Sequence, residues 1–249
     1  MMGERAIAFE QVTMRATAGI VEILKGISFD IAKGEFVALV GPSGAGKTSL
    51  LRLINRLSEH AAGTIRVGGQ DIRQIPVVKL RQQVALVNQE SRLLGMSVAE
   101  TLRYPLRLQD KPAEVIEDVV AQWCDRLNIP ADWMSRNETT LSLGQRQRVA
   151  IARTLISGPK VLLLDEPTSS QDIGYSEYLL SRLSTLAAQE GMTILMANHQ
   201  LELSARHVTR LLHLQDGCLI DDRPASQVDW TALRETLIAT EQAAEAEWT

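Results

Sequence analysis

Apolar and polar residues alternate over residues 6–12 and again over 23–31, with a loop at 17–19 between the two stretches. A period of two predicts strands of a sheet packed on one face. The next apolar stretch, 35–40, is continuous instead, as in a strand buried on both faces of a parallel sheet. It ends in a glycine-bearing loop. Leu50, Leu51, Leu53, Ile54 and Leu57 then recur at helical spacing and predict a helix over 49–57. Residues 63–67 and 84–87 predict two further strands, joined through a turn at Gly68-Gly69. From residue 97 to 156 the period is helical. Ser97 and Glu100 have the spacing of a capping box, 113–127 continues as helix, and Pro130 breaks a loop over 128–137. Buried strands return at 161–164 and 193–197, each followed by polar residues and a helix. Strand and helix in alternation imply an α/β fold, a mainly parallel sheet covered on both faces, into which the helical middle is inserted. Residues 229–249 are acidic apart from Arg234. They set Trp230, Leu233 and Leu237 on one helical face, which predicts a short amphipathic helix docked on its own domain, with a dimer or partner contact as the alternative.

Composition narrows the class. The chain has 249 residues, 45% of them hydrophobic, enough to bury one large core. Charged residues make up 22%, which excludes wholesale disorder, and the net charge of -4 speaks against a generic nucleic-acid binder. Cys124 and Cys218 stand far apart and suggest neither a disulfide framework nor a zinc site. No apolar run approaches the roughly 20 residues that span a bilayer, and residues 1–5 lack a signal-peptide core. A soluble cytoplasmic protein is the expectation.

Two motifs carry chemistry. Gly41, Pro42, Ser43, Gly44, Ala45, Gly46, Lys47 and Thr48 match G-x-x-x-x-G-K-S/T, with a strand before and a helix after. The glycines let backbone N–H groups curl around phosphate oxygens, and the following helix aims its positive end at the same anion. Lys47 is placed to reach the β- and γ-phosphates of a nucleotide, and the Thr48 hydroxyl to ligate Mg²⁺. The second motif is Asp165-Glu166, at the carboxyl end of an apolar strand, where ligands bind in open α/β sheets. Asp165 suits the Mg²⁺-linked acidic role, and Glu166 can polarise a water for in-line attack on the γ-phosphate.

These motifs occur in the order found in ATP-binding cassette (ABC) ATPases, which the chain resembles over residues 6–228. The most specific segment, residues 141–148 (LSLGQRQR), is similar to the family signature L-S-G-G-Q-x-Q-R and stands at the family spacing, Gln145 twenty residues before Asp165. The resemblance implies a P-loop core at 1–88 and 157–228, an N-terminal antiparallel β subdomain, and a helical subdomain at 89–156, with 229–249 as a tail helix. It implies ATP and Mg²⁺ as cofactors, with Thr48, Gln89 and Asp165 toward the metal. Glu166, His199 and Gln89 take catalytic roles: Gln89 as the Q-loop glutamine and His199 as the switch histidine. Ser142, Gly144 and Gln145 would face a nucleotide held by the other subunit of a head-to-tail homodimer, and residues 169–172 resemble the loop that crosses that interface. Three departures stand out. Leu143 replaces a glycine, Gln171 replaces a leucine, and no aromatic ring is near residues 12–15 to cover adenine, a task that falls to Met14 or Arg15, with Ile20 helping.

Without a membrane segment, the implied role is the ATPase subunit of a transporter, peripheral on the cytoplasmic side of the plasma (inner) membrane and docked on a separate integral membrane permease. Its groove would lie beside Gln89, at residues 93–105, with Leu94, Met96, Tyr104 and Leu106 as apolar lining. Residues 54–57 and 98–105 are most similar to bacterial subunits linked to iron or metal export and to plant half-transporter subunits. A soluble ABC ATPase of DNA repair or translation is the alternative. Such proteins fuse two cassettes or carry long insertions, neither of which is present, so no nucleic-acid partner is expected.

Overall fold

The computed structural model describes residues 4–16 and 21–246. Strands β1 (Arg5–Arg15) and β2 (Glu22–Ala32) come first, then β3 (Phe36–Val40), α1 (Lys47–Ile54), β4 (Ala62–Val67), β5 (Gln70–Asp71), α2 (Val77–Gln83) and β6 (Val84–Val87). The helices α3 (Val98–Arg107), α4 (Ala113–Arg126) and α5 (Leu143–Ile156) follow. The chain closes with β7 (Val161–Asp165), α6 (Ile173–Glu190), β8 (Thr193–Ala197), α7 (Leu201–His207), β9 (Arg210–Gln215), β10 (Cys218–Pro224) and α8 (Trp230–Ala246).

Two sheets organise these elements. One is antiparallel, in the order β2-β1-β4-β5; the other runs β10-β9-β3-β8-β7-β6, with every pairing parallel except β10 on β9. The alternation in β1 slips at Gln11, whose φ of 51° marks a bulge, so that Ile7, Phe9 and Val12 all point inward. Phe9 pairs with Phe29 of β2, and their rings stack at 4.6 Å.

The continuous apolar strands divide their side chains between two cores. Phe36, Ala38 and Val40 of β3 join Leu162, Leu164, Ile194 and Met196 on one face, beneath α3 to α6. Val37 and Leu39 join Leu163, Leu195 and Leu212 on the other, with α1 and the antiparallel sheet. The six-stranded sheet is therefore the middle layer, which is why its strands show no alternation.

Three expectations need correction. The Gly68-Gly69 turn joins β4 to β5, not to the strand at 84–87; that strand, β6, belongs to the other sheet and pairs with β7 through Val84 and Val161. Between them lies α2, a helix the periodicity missed because Leu80 is its single buried residue. Helix α1 spans 47–54 rather than 49–57, and Leu57 is 49% exposed, because Arg56 adopts a left-handed φ of 54° and stops the helix. The Ser97–Glu100 capping box forms as the spacing predicts. Trp230, Leu233 and Leu237 of α8 lean on the first core, and Arg234 pairs with Glu202 of α7 at 3.1 Å.

Candidate nucleotide site

Strand β3 delivers the chain to the phosphate loop at Gly41, where no other residue fits: a Cβ there would lie 2.1 Å from the Leu214 carbonyl of β9. The loop borders a cleft of about 260 Å³. Ser43 to Ser49 line one side of it, and Ile23 of β2 lines the rest together with Gln89, Glu166 and His199, each of these three from a different connection. Segments separated by more than a hundred residues thus converge at the carboxyl ends of parallel strands, where the ligand site of an open α/β sheet lies.

Lys47 is buried and donates to the carbonyls of Gly41 at 2.7 Å and Pro42 at 2.9 Å. Burial holds its pKa below the ordinary lysine value, opposed by the carboxylates of Glu166, Glu241 and Asp165 in that order. Behind it, Thr48 donates to Asp165 Oδ1 at 3.2 Å. Burial raises the Asp165 pKa, the Thr48 hydrogen bond works against that rise, and the Glu166 charge adds to it.

Glu166 directly follows β7 with a φ of 51°, uncommon for a side chain of its size, and its N–H donates to the Ala197 carbonyl at 2.9 Å. Its carboxylate accepts from Gln89 Nε2 at 2.9 Å and lies 3.1 Å from His199 Nε2. The three expected catalytic side chains therefore form one connected group. Backbone strain of this kind costs about 1–3 kcal/mol and persists where the surroundings over-determine it.

The donor set fits Mg²⁺. Thr48, Asp165 and Gln89 offer hydroxyl, carboxylate and amide oxygens, the hard ligands this ion selects. Among the described residues no group of three or more His, Cys, Asp or Glu side chains is placed to cage a metal. Asp165 is the one carboxylate in this set, and Mg²⁺ is commonly held by one or two carboxylates together with substrate phosphates.

Met14 is not part of the cleft. The register pairs it with Leu24 across β1 and β2, and it packs against the second core, while Arg15 pairs with Glu22 at 3.3 Å. Ile20 lies outside the described residues. The apolar side chain of the N-terminal strands that does line the cleft is Ile23. Which strand residue reaches the nucleotide depends on the shifts in β1–β2 register, and nothing in the local pattern announces them.

The signature segment lies elsewhere. Ser142 caps α5, accepting from Gln145 N at 3.2 Å while Gln145 Oε1 accepts from Ser142 N at 3.0 Å. Those bonds leave the serine hydroxyl hydrogen unused. Leu143 is the first helical residue and 64% exposed, so the missing glycine costs the loop nothing. Gly144 is needed: a Cβ would lie 2.4 Å from the Ser170 carbonyl. Ser142, Gly144 and Gln145 do not line the cleft of their own chain.

Beside Gln89 opens a groove of about 810 Å³, bordered by Thr48, Arg52, Arg92, Leu94, Arg153 and Asp165 among others. A shallower depression next to it holds Leu94 with Tyr104, Pro105 and Leu108. Two of the four residues expected to line this region do so. Leu106 is buried in the first core on the inner face of α3, and Met96 borders neither cavity.

A phosphate loop between strand and helix, a buried carboxylate on its threonine and a second carboxylate on the cleft define a P-loop nucleoside triphosphatase. The family model of the ABC transporter matches residues 24–169, more than half of the chain. The chain belongs to the ABC transporter family. The methionine import ATP-binding protein MetN of Caulobacter vibrioides is 34% identical over 226 residues, covering 89% of this chain and 68% of MetN. Protein STAR1 of Oryza sativa subsp. japonica is 35% identical over 217 residues, covering 87% of this chain and 62% of its own length. Among solved structures, cbiO1 from Clostridium perfringens, part of the ABC transporter complex cbiONQ, superposes with a TM-score of 0.82 at 26% identity. That match covers 99% of this chain and all of cbiO1. The chain is an ATP-binding cassette that hydrolyses ATP, with the mainly parallel core, antiparallel N-terminal sheet and helices that the motifs imply. Among the described residues no helix is long and apolar enough to cross a membrane.

Proposed function

We propose that this cassette is the ATPase subunit of a transporter whose permease is a separate membrane protein, and that it works as a head-to-tail homodimer on the cytoplasmic side of the plasma (inner) membrane. One observation carries the dimer: Ser142, Gly144 and Gln145 lie outside their own chain's cleft, so a complete site needs them from a second copy. The names of MetN and cbiO1, an import ATP-binding protein and a part of a transporter complex, support a membrane partner. The groove beside Gln89, with Leu94 and Tyr104 on its flank, supports its place of docking.

In this reading the Gly41–Thr48 backbone cradles the phosphates of ATP and Lys47 exchanges its loop carbonyls for the β- and γ-phosphate oxygens. Thr48, Asp165 and Gln89 would hold Mg²⁺, which supplies charge neutralisation on the phosphates when bound. Glu166 orients the attacking water and takes up its proton. Gln89 and His199 fix the glutamate's two oxygens, and His199 is in reach of the same γ-phosphate. The hydroxyl hydrogen left unused on Ser142 of the partner subunit serves the transferred phosphate from the other side, adding a preorganised donor.

Iron or metal export is the cargo suggested by the resemblance at residues 54–57 and 98–105; the one cargo named among the relatives above is methionine. The rival role in DNA repair or translation draws no support from these relatives.

The test is Glu166→Gln. With MgATP it should run in light scattering as a dimer that hydrolyses on the order of a hundredfold more slowly than the wild type, the scale of a lost general base. A variant that stays monomeric with ATP, or hydrolyses at the wild-type rate, removes the reading.

A further inference from the structure

The side chain of Gln171 is half-buried in an otherwise exposed loop, residues 169–172. Its Nε2 donates to the Gly144 carbonyl at 2.8 Å, in the first turn of α5. The same junction is closed between backbones, where Gly144 admits the Ser170 carbonyl too closely for any Cβ. Toward the other side, Ser169 donates through both its N–H and its hydroxyl to the Glu166 carbonyl, at 3.3 and 3.0 Å. Gln171 N–H adds a bond to the Thr168 carbonyl at 3.2 Å. An unbroken path of short contacts therefore runs from Glu166 to the first turn of the signature helix.

The loop has a competing attachment. Asp172 caps α6, accepting from Tyr175 N at 2.8 Å, and so ties the far end of the loop to that helix. The Gln171 amide is the one side chain of the loop that bonds to α5 among the described residues. A leucine in its place could fill the volume but has no hydrogen to donate, and the loop would then be anchored to α6 and to Glu166 alone.

We propose that Gln171 is a positioning residue that ties the loop after Glu166 to the first turn of α5, so that the carboxylate used in one subunit's own cleft and the signature presented to the other subunit's nucleotide are set together. This rests on the head-to-tail reading above. Coupling follows from the connection: each subunit contributes Glu166 to one site and Ser142 to the opposite one, and a rigid link between them makes closure of the two sites interdependent.

Gln171→Met keeps the length and volume of the side chain and removes the donor; Gln171→Glu keeps the shape and sets a carboxylate against the Gly144 carbonyl. Both should bind ATP as monomers with wild-type affinity, since Gln171 does not line the cleft. In steady-state hydrolysis kcat should fall several-fold to tenfold, the scale of one lost hydrogen bond. The Hill coefficient for ATP should drop toward one. Wild-type kcat and cooperativity in Gln171→Met would show that the residue only fills space, and weakened monomer binding would place its effect in its own cleft; either result overturns the inference. Trapping of the Glu166→Gln dimer separates the two levels. If that dimer forms while Gln171→Met behaves as wild type, the link fails and the head-to-tail reading stands; if no dimer forms, the reading itself fails.

Discussion

At the scale of single residues, the site is assembled from side chains whose surroundings oppose their charge. Lys47 and Asp165 are both buried, and both pKa values are displaced toward the neutral form. A bound triphosphate with its counter-ion restores what burial removes from each, which favours ligand over the free cleft. His213 is buried on β9 near this loop: burial lowers its pKa, Asp221 opposes the shift, and the Lys47 charge lowers it further. His60 is likewise lowered by burial, and Nε2 has no hydrogen-bond partner in either ring. For a base with a depressed folded pKa, the stability it contributes is present above its unfolded value, 6.5, and is lost as pH falls through the folded one. The melting temperature should therefore hold steady from pH 8 to about 7 and fall below about 6.5. His213→Leu should show a smaller drop between pH 7.5 and 5.5, measured by calorimetry. An equal drop in variant and wild type would assign the acid sensitivity to other groups.

Residues proposed to cradle phosphate through a local backbone conformation are readable in order along the chain: Gly41 to Thr48 need only each other and the strand before them. Ile23 and Gln171 are not readable in that way. One reaches the cleft because of shifted register in a β pair, the other finds its partner twenty-seven residues away in the chain. Long-range placement, and not residue type, decides both.

At the scale of elements, one local device starts two of the helices. Ser97 and Ser142 cap α3 and α5 with the same capping box, closed by Glu100 and Gln145. Replacing either serine with alanine should cost about 1 kcal/mol in stability, read by denaturant unfolding. Hydrolysis should separate them: Ser97→Ala should retain wild-type kcat, whereas Ser142→Ala should also lose the donor that the proposed homodimer offers to the opposite nucleotide, and fall in kcat. Equal activities would reduce Ser142 to a cap. Periodicity located α3 and α4, whose buried residues recur along one face, and missed α2, which buries Leu80 alone. It also joined β4 to the wrong strand, since a Gly-Gly turn fixes a hairpin but not the length of its second arm; β5 here has two residues.

At the scale of the whole molecule, the central sheet separates two cores, one under the helices that carry the signature and one under the antiparallel sheet and α1. The nucleotide cleft sits at the edge between them, built from connections on both sides, with the signature displaced from it. Apolar strands without alternation announced this middle layer, while the separation of signature from cleft is visible only in three dimensions. In the proposed homodimer a site divided in this way is completed by symmetry: two copies related by a twofold axis would exchange identical surfaces and form two equal sites.

That division is tested most directly by mixing two inactive variants. Lys47→Ala breaks the phosphate cradle and leaves the signature whole; Ser142→Asp does the reverse, keeping a side-chain cap on α5 while setting a carboxylate against the phosphate of the other copy, outside its own cleft. A mixed dimer combines both faults in one site and leaves the other site intact. The mixture should hydrolyse ATP well above the sum of the separate variants, with activity rising as subunits exchange. No activity beyond that sum, with mixed dimers shown to form, would contradict a site shared between two copies of this chain.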